Sequence, residues 1–453
     1  MSDNSSPSLD TLVSLAKRRG LVFPASEIYG GIAGFYDYGP YGSQMARNIK
    51  DAWWDAFVRS APNIFGIDSA IIQNSKLWQA SGHVDGFNDP MVECNNCHSR
   101  HRVDHLIGKE MEELVDYVPH LKDAACNVCG TKGDFGEVKT FNMMFKTHVG
   151  AAEDSDSIAY LRPETAGGIF TNFELVRESA RAKLPFGIAQ IGKAFRNEIS
   201  PREFVFRVRE FEQMELEYFV YPEAAEKEYE TMKQFCWDWL KEVGLNEEFM
   251  EWHQHDEAER AHYAADSWDI NYAFPHGSKE LWGIANRTDY DLKAHSQASG
   301  KDLSYFDSEE NEHIVPYVIE PSIGVSRLFL AMIHSAYTEE TVNDETRVVL
   351  KLKPGIAPVD VAILPLSKKP ELSNMAKELY EQLVGSTDLT VEYDETQSIG
   401  KRYRRQDEIG TPKCITVDFE SLEDKAATIR DRDSMEQKRV PVEELVQSLA
   451  TTD

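Results

Sequence analysis

AQIGKAFRNEISPREFVFRVREFEQMELEYFV, residues Ala189 to Val220, sets two strand-like runs around a polar loop. Arg196, Glu198, Arg207, Arg209, Glu212 and Glu215 recur at alternating positions, which directs them from one face of an antiparallel hairpin. Guanidinium and carboxylate groups side by side on such a face suit a ligand carrying both phosphate and amine. The pattern therefore points to phosphate chemistry without a P-loop. A solvated ion-pair face on an ordinary amphipathic hairpin is the plainer reading of the same residues.

The stretch resembles motif 2 of the class II aminoacyl-tRNA synthetases, through Phe195-Arg196-Asn197-Glu198, a loop, and a return along Arg209-Glu210-Phe211-Glu212-Gln213-Met214-Glu215. That return has the form of the glycyl-specific members. A glycine- and tyrosine-rich run, Gly30 to Gly42, contains Asp37-Tyr38-Gly39-Pro40; it leads into a helix-like stretch, Ser43 to Arg59, with Trp53-Trp54, and then a strand-like Ile67 to Gln73. This order resembles motif 1, which implies a homodimer; without the resemblance a Trp-rich helix reads as core. Glu320-Pro321-Ser322-Ile323-Gly324-Val325-Ser326-Arg327, running into LFLAMI, resembles motif 3. A strand, a glycine turn and a helix with an early arginine let backbone approach a nucleotide while a guanidinium stacks on adenine or reaches phosphate.

The resemblance implies an α+β fold, with a class II antiparallel sheet flanked by helices as the catalytic domain (residues 1–354). Within it, Arg196 and Arg327 are the implied catalytic residues. Asn197, Glu198, Phe206, Arg207, Val208, Arg209, Glu210 and Phe211 would face ATP, joined by Gly324, Val325 and Ser326. Glu280-Leu281-Trp282-Gly283-Ile284 and Arg287-x-Asp289 add Glu280, Leu281 and Arg287; Mg2+ suits Glu280 because it takes one or two carboxylates plus phosphate oxygens. Arg162-Pro163-Glu164-Thr165-Ala166 resembles the amino-acid loop, whose glutamate, here Glu164, holds the substrate ammonium. An ammonium offers only donors, so several carboxylates satisfy it. Phe211, Glu212, Gln213, Met214 and Glu215, with Glu320, Pro321, Ser322, Ile323 and Gly324, would complete the amino-acid pocket, together with either Arg100 or Arg102. Gly167 stands where the family usually has Gln.

Four of six cysteines form two knuckles, Cys94-x2-Cys97 and Cys126-x2-Cys129, in a polar segment of about 88–150. Two knuckles supply a closed four-thiolate shell for a structural zinc ion in a ribbon-like insertion. A paired rather than dispersed arrangement argues for a reducing compartment. Residues 222–265 read as an acidic helical insertion with Phe235, Trp239 and Leu240 inside. From residue 355 to 453 strands and helices alternate, the sign of a separate α/β domain. The tail resembles the anticodon-binding domain of class IIa synthetases, and its basic loop, Lys401, Arg402, Arg404 and Arg405, would contact tRNA.

At 453 residues the chain has room for about two or three domains. A formal charge of -29 argues against wholesale attachment to nucleic acid or anionic lipid, so RNA contact must be local. The start MSDNSSPS lacks a signal-peptide pattern, and no apolar run approaches the roughly 20 residues of a membrane span. A soluble cytoplasmic enzyme fits. The expected activity is glycine–tRNA ligation, with ATP, glycine and tRNA(Gly) as partners. A serine, threonine or proline sister enzyme, a catalytically silent binding subunit and a basic zinc-ribbon protein are the competing readings. The last two leave the charged hairpin or the acidic composition unexplained.

Overall fold

The computed structural model describes residues 6–108, 118–151, 153–154, 157–256, 260 and 264–450. Parts of both expected insertions, 109–117, 257–259 and 261–263, lie outside the described residues, as do residues 1–5 and 451–453 at the two ends. Seven strands form the main sheet: β1 (Ile64–Gly66), β2 (Phe186–Phe195), β3 (Glu210–Val220), β4 (Met250–Gln254), β5 (Asp266–Phe274), β6 (Gly277–Thr288) and β7 (Tyr317–Gly324). Their order is β4-β5-β6-β7-β3-β2-β1, antiparallel except where β2 meets β1. Successive residues of the long strands face opposite sides; one face is apolar, and the other is polar at its centre and apolar around Phe186, Ile188, Phe219 and Val318, where a second core cluster packs.

Met214, Leu216, Ile319, Ile323, Trp282 and Ile284 point to the apolar face and are fully buried. Against it pack α1 (Leu9–Arg18), α2 (Pro40–Trp54), α3 (Ala225–Glu242) and α4 (Val325–Ala336). α1 is capped by the Ser8 hydroxyl, which accepts from the Thr11 N–H. α2 starts three residues earlier than expected, because Pro40 presets the first-turn backbone, and it runs on as a π-helical turn, Asp55–Arg59. The expected strand Ile67–Gln73 shortens to Ile72–Gln73, paired with Ile158–Leu161.

The expected helical insertion is only partly helical. After α3 the chain returns as β4, the edge strand of the main sheet. Tyr229, Cys236, Trp239 and Leu240 of α3 are core residues, but Phe235 is 43% exposed and meets Phe57 edge-on at 4.8 Å. The knuckle segment folds around a three-stranded sheet, with Arg100–Arg102 and Lys139–Asn142 on either side of Asn88–Glu93.

The C-terminal sheet comprises β8 (Val361–Pro365), β9 (Val391–Tyr393), β10 (Lys413–Val417), β11 (Ala426–Asp431) and β12 (Gln437–Pro441), in the order β9-β8-β10-β11-β12. The first three are parallel, as the strand–helix rhythm implies. α5 (Pro370–Ser386) is one crossover. The basic segment is not a loop but a helix, α6 (Ile399–Ile409), because Gly400 to Gln406 continues without a breaker until Gly410 caps it with left-handed backbone.

α6 fastens this sheet to the rest of the chain. Asp407 accepts two bonds of 2.8 Å from Arg347 and one of 2.9 Å from Arg430, while Arg432 donates to the carbonyls of Leu352 and Gly410. All of these side chains are buried. Replacing Asp407 with alanine takes the carboxylate from the buried Arg430 and leaves Arg347 with Glu340 and the Arg432 carbonyl, and an expected loss of about 3 kcal/mol follows. Chemical denaturation of the variant checks it.

Candidate active site

A cavity of about 430 Å3 opens on the polar face of the main sheet. Strand register builds its floor. Gln190 of β2, Glu215 of β3, Ser322 of β7, Gly283 of β6 and Asp269 of β5 are successive partners along one row. Gly283 leaves the middle of that row without a side chain; a Cβ there would stand 3.5 Å from Asp269 Oδ1 and 3.8 Å from Glu280 Oε1.

The acidic end centres on Glu215. It accepts a hydrogen bond from Ser322 Oγ at 2.8 Å and a shorter one from Thr165 Oγ1, and Gln213 Nε2 donates to Ser322 at 3.2 Å. Thr165 thus serves the pocket, not a helix cap. Glu320 pairs with Arg287, whose other nitrogens bind Asp291 at 2.7 and 2.8 Å. Burial would raise the Glu164 carboxyl, but His83, 3.2 Å away, with Arg287 and Arg196 further off, brings it down to about 2. Glu320 moves the other way: burial, against the pull of Arg287 and aided by Glu215 and Glu164, pushes it up to about 8. Neighbouring carboxyls thus differ sharply in proton affinity, a pattern common at functional sites.

The basic end holds Arg196, Arg207, Arg327 and Arg102. Arg196 donates to the Pro163 carbonyl at 3.1 Å and lies 5.4 Å from the Phe87 and Phe211 ring centres. Arg327 sits 4.6 Å over Phe206 and pairs with Glu280 at 3.0 Å. That pairing is the main force holding the Glu280 carboxyl below its usual value. Arg207 lies 3.3 Å from His105 Nε2; burial lowers that imidazole to about 4, so it is neutral at pH 7 and accepts. Glu198, Val208, Gly324 and Ser326 also line the cavity.

Several expected contacts fall elsewhere. Arg196 to Arg209 form the loop between β2 and β3, and Glu212 lies on the opposite face from Glu215, bound to Lys50 of α2 at 3.0 Å. Period-two alternation requires this, since positions 212 and 215 differ by three. For the same reason Met214, Pro321 and Ile323 turn into the core, with Leu281 and Val325. The Arg209 guanidinium ties the loop through the carbonyls of Glu198 and Ala33. Glu210 pairs with Lys193, and the side chain of Asn197 is outside the cavity lining. Arg100 is exposed against Glu93, whereas Arg102, held by Asp89 and Asp104, lines the cavity. Of the pair, Arg102 is the one beside the site.

Sequence reasoning missed His83, Asp269 and His255, which come from distant segments and carry no local motif, and Asp291, whose place four residues after Arg287 was a usable signal. It also missed Glu217, whose place in the Gln213-Glu215-Glu217 alternation was a usable signal.

The four knuckle cysteines converge, every Sγ within 4.8 Å of the others. Cys94 and Cys129 are 3.7 Å apart, Cys97 and Cys126 3.6 Å. A tetrahedron with Zn–S bonds of about 2.3 Å has edges of about 3.8 Å, so the cluster is compatible with a zinc site. In α6, Arg402 is buried against the carbonyls of Pro365, Thr396 and Gln397, and Arg405 is bound to Asp394 and Thr396. Those two stabilise the helix. Lys401 is exposed, and Arg404 is part-exposed, 3.6 Å from Asp407.

A sheet of this order with a nucleotide-sized basic pocket beside a carboxylate cage is that of a class II aminoacyl-tRNA synthetase. Residues 145–336 match the class II core domain model for the G, H, P, S and T enzymes, and 360–452 match the anticodon-binding domain. A prolyl-tRNA synthetase of Giardia lamblia in complex with prolyl-adenylate shares the fold, with a TM-score of 0.66 and 18% identity over 98% of this chain and 76% of that one. Glycine–tRNA ligases of Geobacillus thermodenitrificans and Geobacillus kaustophilus are 52% and 53% identical, over 98% and 96% of this chain and 97% of each relative. The chain belongs to the glycine–tRNA ligase family. Among the described residues no helix is long and apolar enough to cross a membrane.

Proposed function

We propose that the chain activates glycine with ATP and transfers the glycyl group to tRNA(Gly). The observation that carries this reading is that the four arginines and the carboxylates share one cavity. Glycine held by its ammonium at Glu164, Glu215 and Glu320 leaves its carboxylate facing Arg196. A carboxylate oxygen forms a bond to the α-phosphorus as the bond to the bridging oxygen of pyrophosphate breaks. Arg196 offsets charge gathering at that phosphorus, and Arg207 and Arg327 hold the phosphate tail and the base. Mg2+, with Glu280 as its carboxylate ligand, would supply further charge neutralisation on the leaving phosphates. A terminal ribose hydroxyl of tRNA then attacks the activated carbonyl, and AMP leaves. No protein nucleophile is needed.

Rigid neighbours around the α-carbon, Glu215, Ser322 and Glu320, exclude side chains by overlap, which discriminates more firmly than the about 1–3 kcal/mol available from one methylene's attraction. Residues 1–354 are assigned to this chemistry and 355–453 to anticodon binding, with Lys401 and Arg404 as the α6 side chains placed to meet RNA. Motif 1 would pair two chains as a homodimer in the cytoplasm. The knuckles hold a structural zinc ion; metal analysis should find one per chain, and Cys126→Ser should lose it and lower the melting temperature. Charging of tRNA(Gly) transcript with labelled glycine tests the activity. Loss of charging after periodate oxidation of the terminal ribose is expected, and absence of charging on intact transcript would refute the reading.

A further inference from the structure

Glu217 is a buried carboxylate beside the pocket that neither the fold nor the mechanism above employs. Its side chain is 0% exposed, and both carboxylate oxygens lack a hydrogen-bond partner among the described residues. Glu215 pairs across β7 with Ser322 and Tyr218 with Ile319, so Glu217 stands opposite Glu320. Oxygens of Glu215, Glu217 and Glu320 lie within 4.8 Å of one another. Partners are unequally shared: Glu215 receives two hydroxyl donors, Glu320 receives Arg287, and Glu217 receives neither.

Three like charges at that spacing, out of water, cannot all persist; the raised proton affinities of Glu320 and Glu217 belong to the two together, which share one proton, and it rests on Glu217 because Glu320 has the Arg287 donor. Arg287 is the nearby cation, and it is already divided between Glu320 and Asp291. We propose that Glu217 is a positioning residue of the glycine subsite: the acidic trio holds one proton, centred on Glu217, in the free enzyme, and releases it when the substrate's ammonium binds. This rests on the glycine-activating reading given above. The arriving ammonium replaces the proton as the compensating charge, so the pocket keeps the same total charge with and without glycine. The proton passes to solvent, and no bond other than O–H is broken.

The groups facing Glu217 agree. Burial and the neighbouring Glu320 carboxyl raise its affinity for a proton well above the ordinary, against Arg287, with Glu215 and Asp291 adding to the rise. Glu164 stands further along the same pocket with His83 and His295 near it, and, held low by His83, it is the carboxylate that stays ionised throughout. In the sign of the linkage, a ligand that expels a proton binds more tightly as pH rises toward the value at which the free trio gives that proton up.

Glycine-dependent ATP–pyrophosphate exchange between pH 6 and 8, on the full-length protein and on Glu217→Gln, tests this. In the parent protein the KM for glycine should fall as pH rises, by up to about tenfold per unit for one expelled proton, with kcat moving far less. Glu217→Gln keeps the shape and carries a permanent N–H donor, so it should remain active with a KM that no longer follows pH. Calorimetric titration of glycine in buffers of different ionisation enthalpy should count the released proton in the parent and none in the variant. An unchanged pH slope in Glu217→Gln overturns the proposal, as does proton release equal in both proteins. A variant that cannot bind glycine at any pH also overturns it, since a neutral amide should suffice. Absence of glycine-dependent exchange in the parent would instead overturn the activity itself.

Discussion

Glu215→Ala should lose most glycine-dependent ATP–pyrophosphate exchange, by roughly 2–5 kcal/mol or about 30- to 4,000-fold in kcat/KM for glycine. Three effects add. The ammonium loses a buried anionic partner, Thr165 and Ser322 lose their shared acceptor, and the space that rejects larger side chains opens beside the α-carbon. The loss should fall on glycine and spare ATP binding, because the end of the cavity proposed for the nucleotide is built from Arg196, Arg207, Arg327 and Phe206. Near-normal exchange in this variant would remove Glu215 from the amino-acid subsite.

Arg196→Ala should leave glycine KM within a few-fold of the parent and lower kcat by about 100- to 1,000-fold, the usual loss on removing a preorganised donor from developing charge. Its guanidinium is held for that role before substrate arrives, by the Pro163 carbonyl and by the Phe87 and Phe211 rings. Lysine should not rescue it, since an ammonium reproduces neither the fork of donors nor the planar contact with the rings. Exchange kinetics with a melting-temperature control read both variants. A kcat within threefold of the parent would assign the α-phosphate to another group.

Motif residues were legible in the sequence wherever local backbone decides the outcome. The 186–220 hairpin, the Glu320–Arg327 strand-to-helix turn, the paired knuckles and the α/β rhythm of the tail all appear in the structure close to their expected bounds. Errors arose from periodicity and from context. Reading 212 and 215 on one face ignored a parity that the strand cannot break, so Glu212, Met214 and Ile323 were placed in a pocket they turn away from. Arg402 and Arg405 read as tRNA contacts because no local signal announces that Pro365, Asp394 and Thr396 will meet them. His83 beside Glu164 depends on a contact that only the folded chain creates.

The choice between Arg100 and Arg102 shows the same boundary. Both lie on one short strand, and only the carboxylates of Asp89 and Asp104 draw Arg102 to the cavity side. Phe235 looked internal from helical spacing but lies on the flank of α3's buried face, half-open to solvent against Phe57.

ATP–pyrophosphate exchange measured against all twenty amino acids, with the full-length protein, addresses the central assignment most directly. A pocket whose carboxylates hold an ammonium and whose walls crowd the α-carbon should support exchange with glycine and leave alanine and serine near background. Exchange driven by serine, threonine or proline, or by no amino acid, would contradict it.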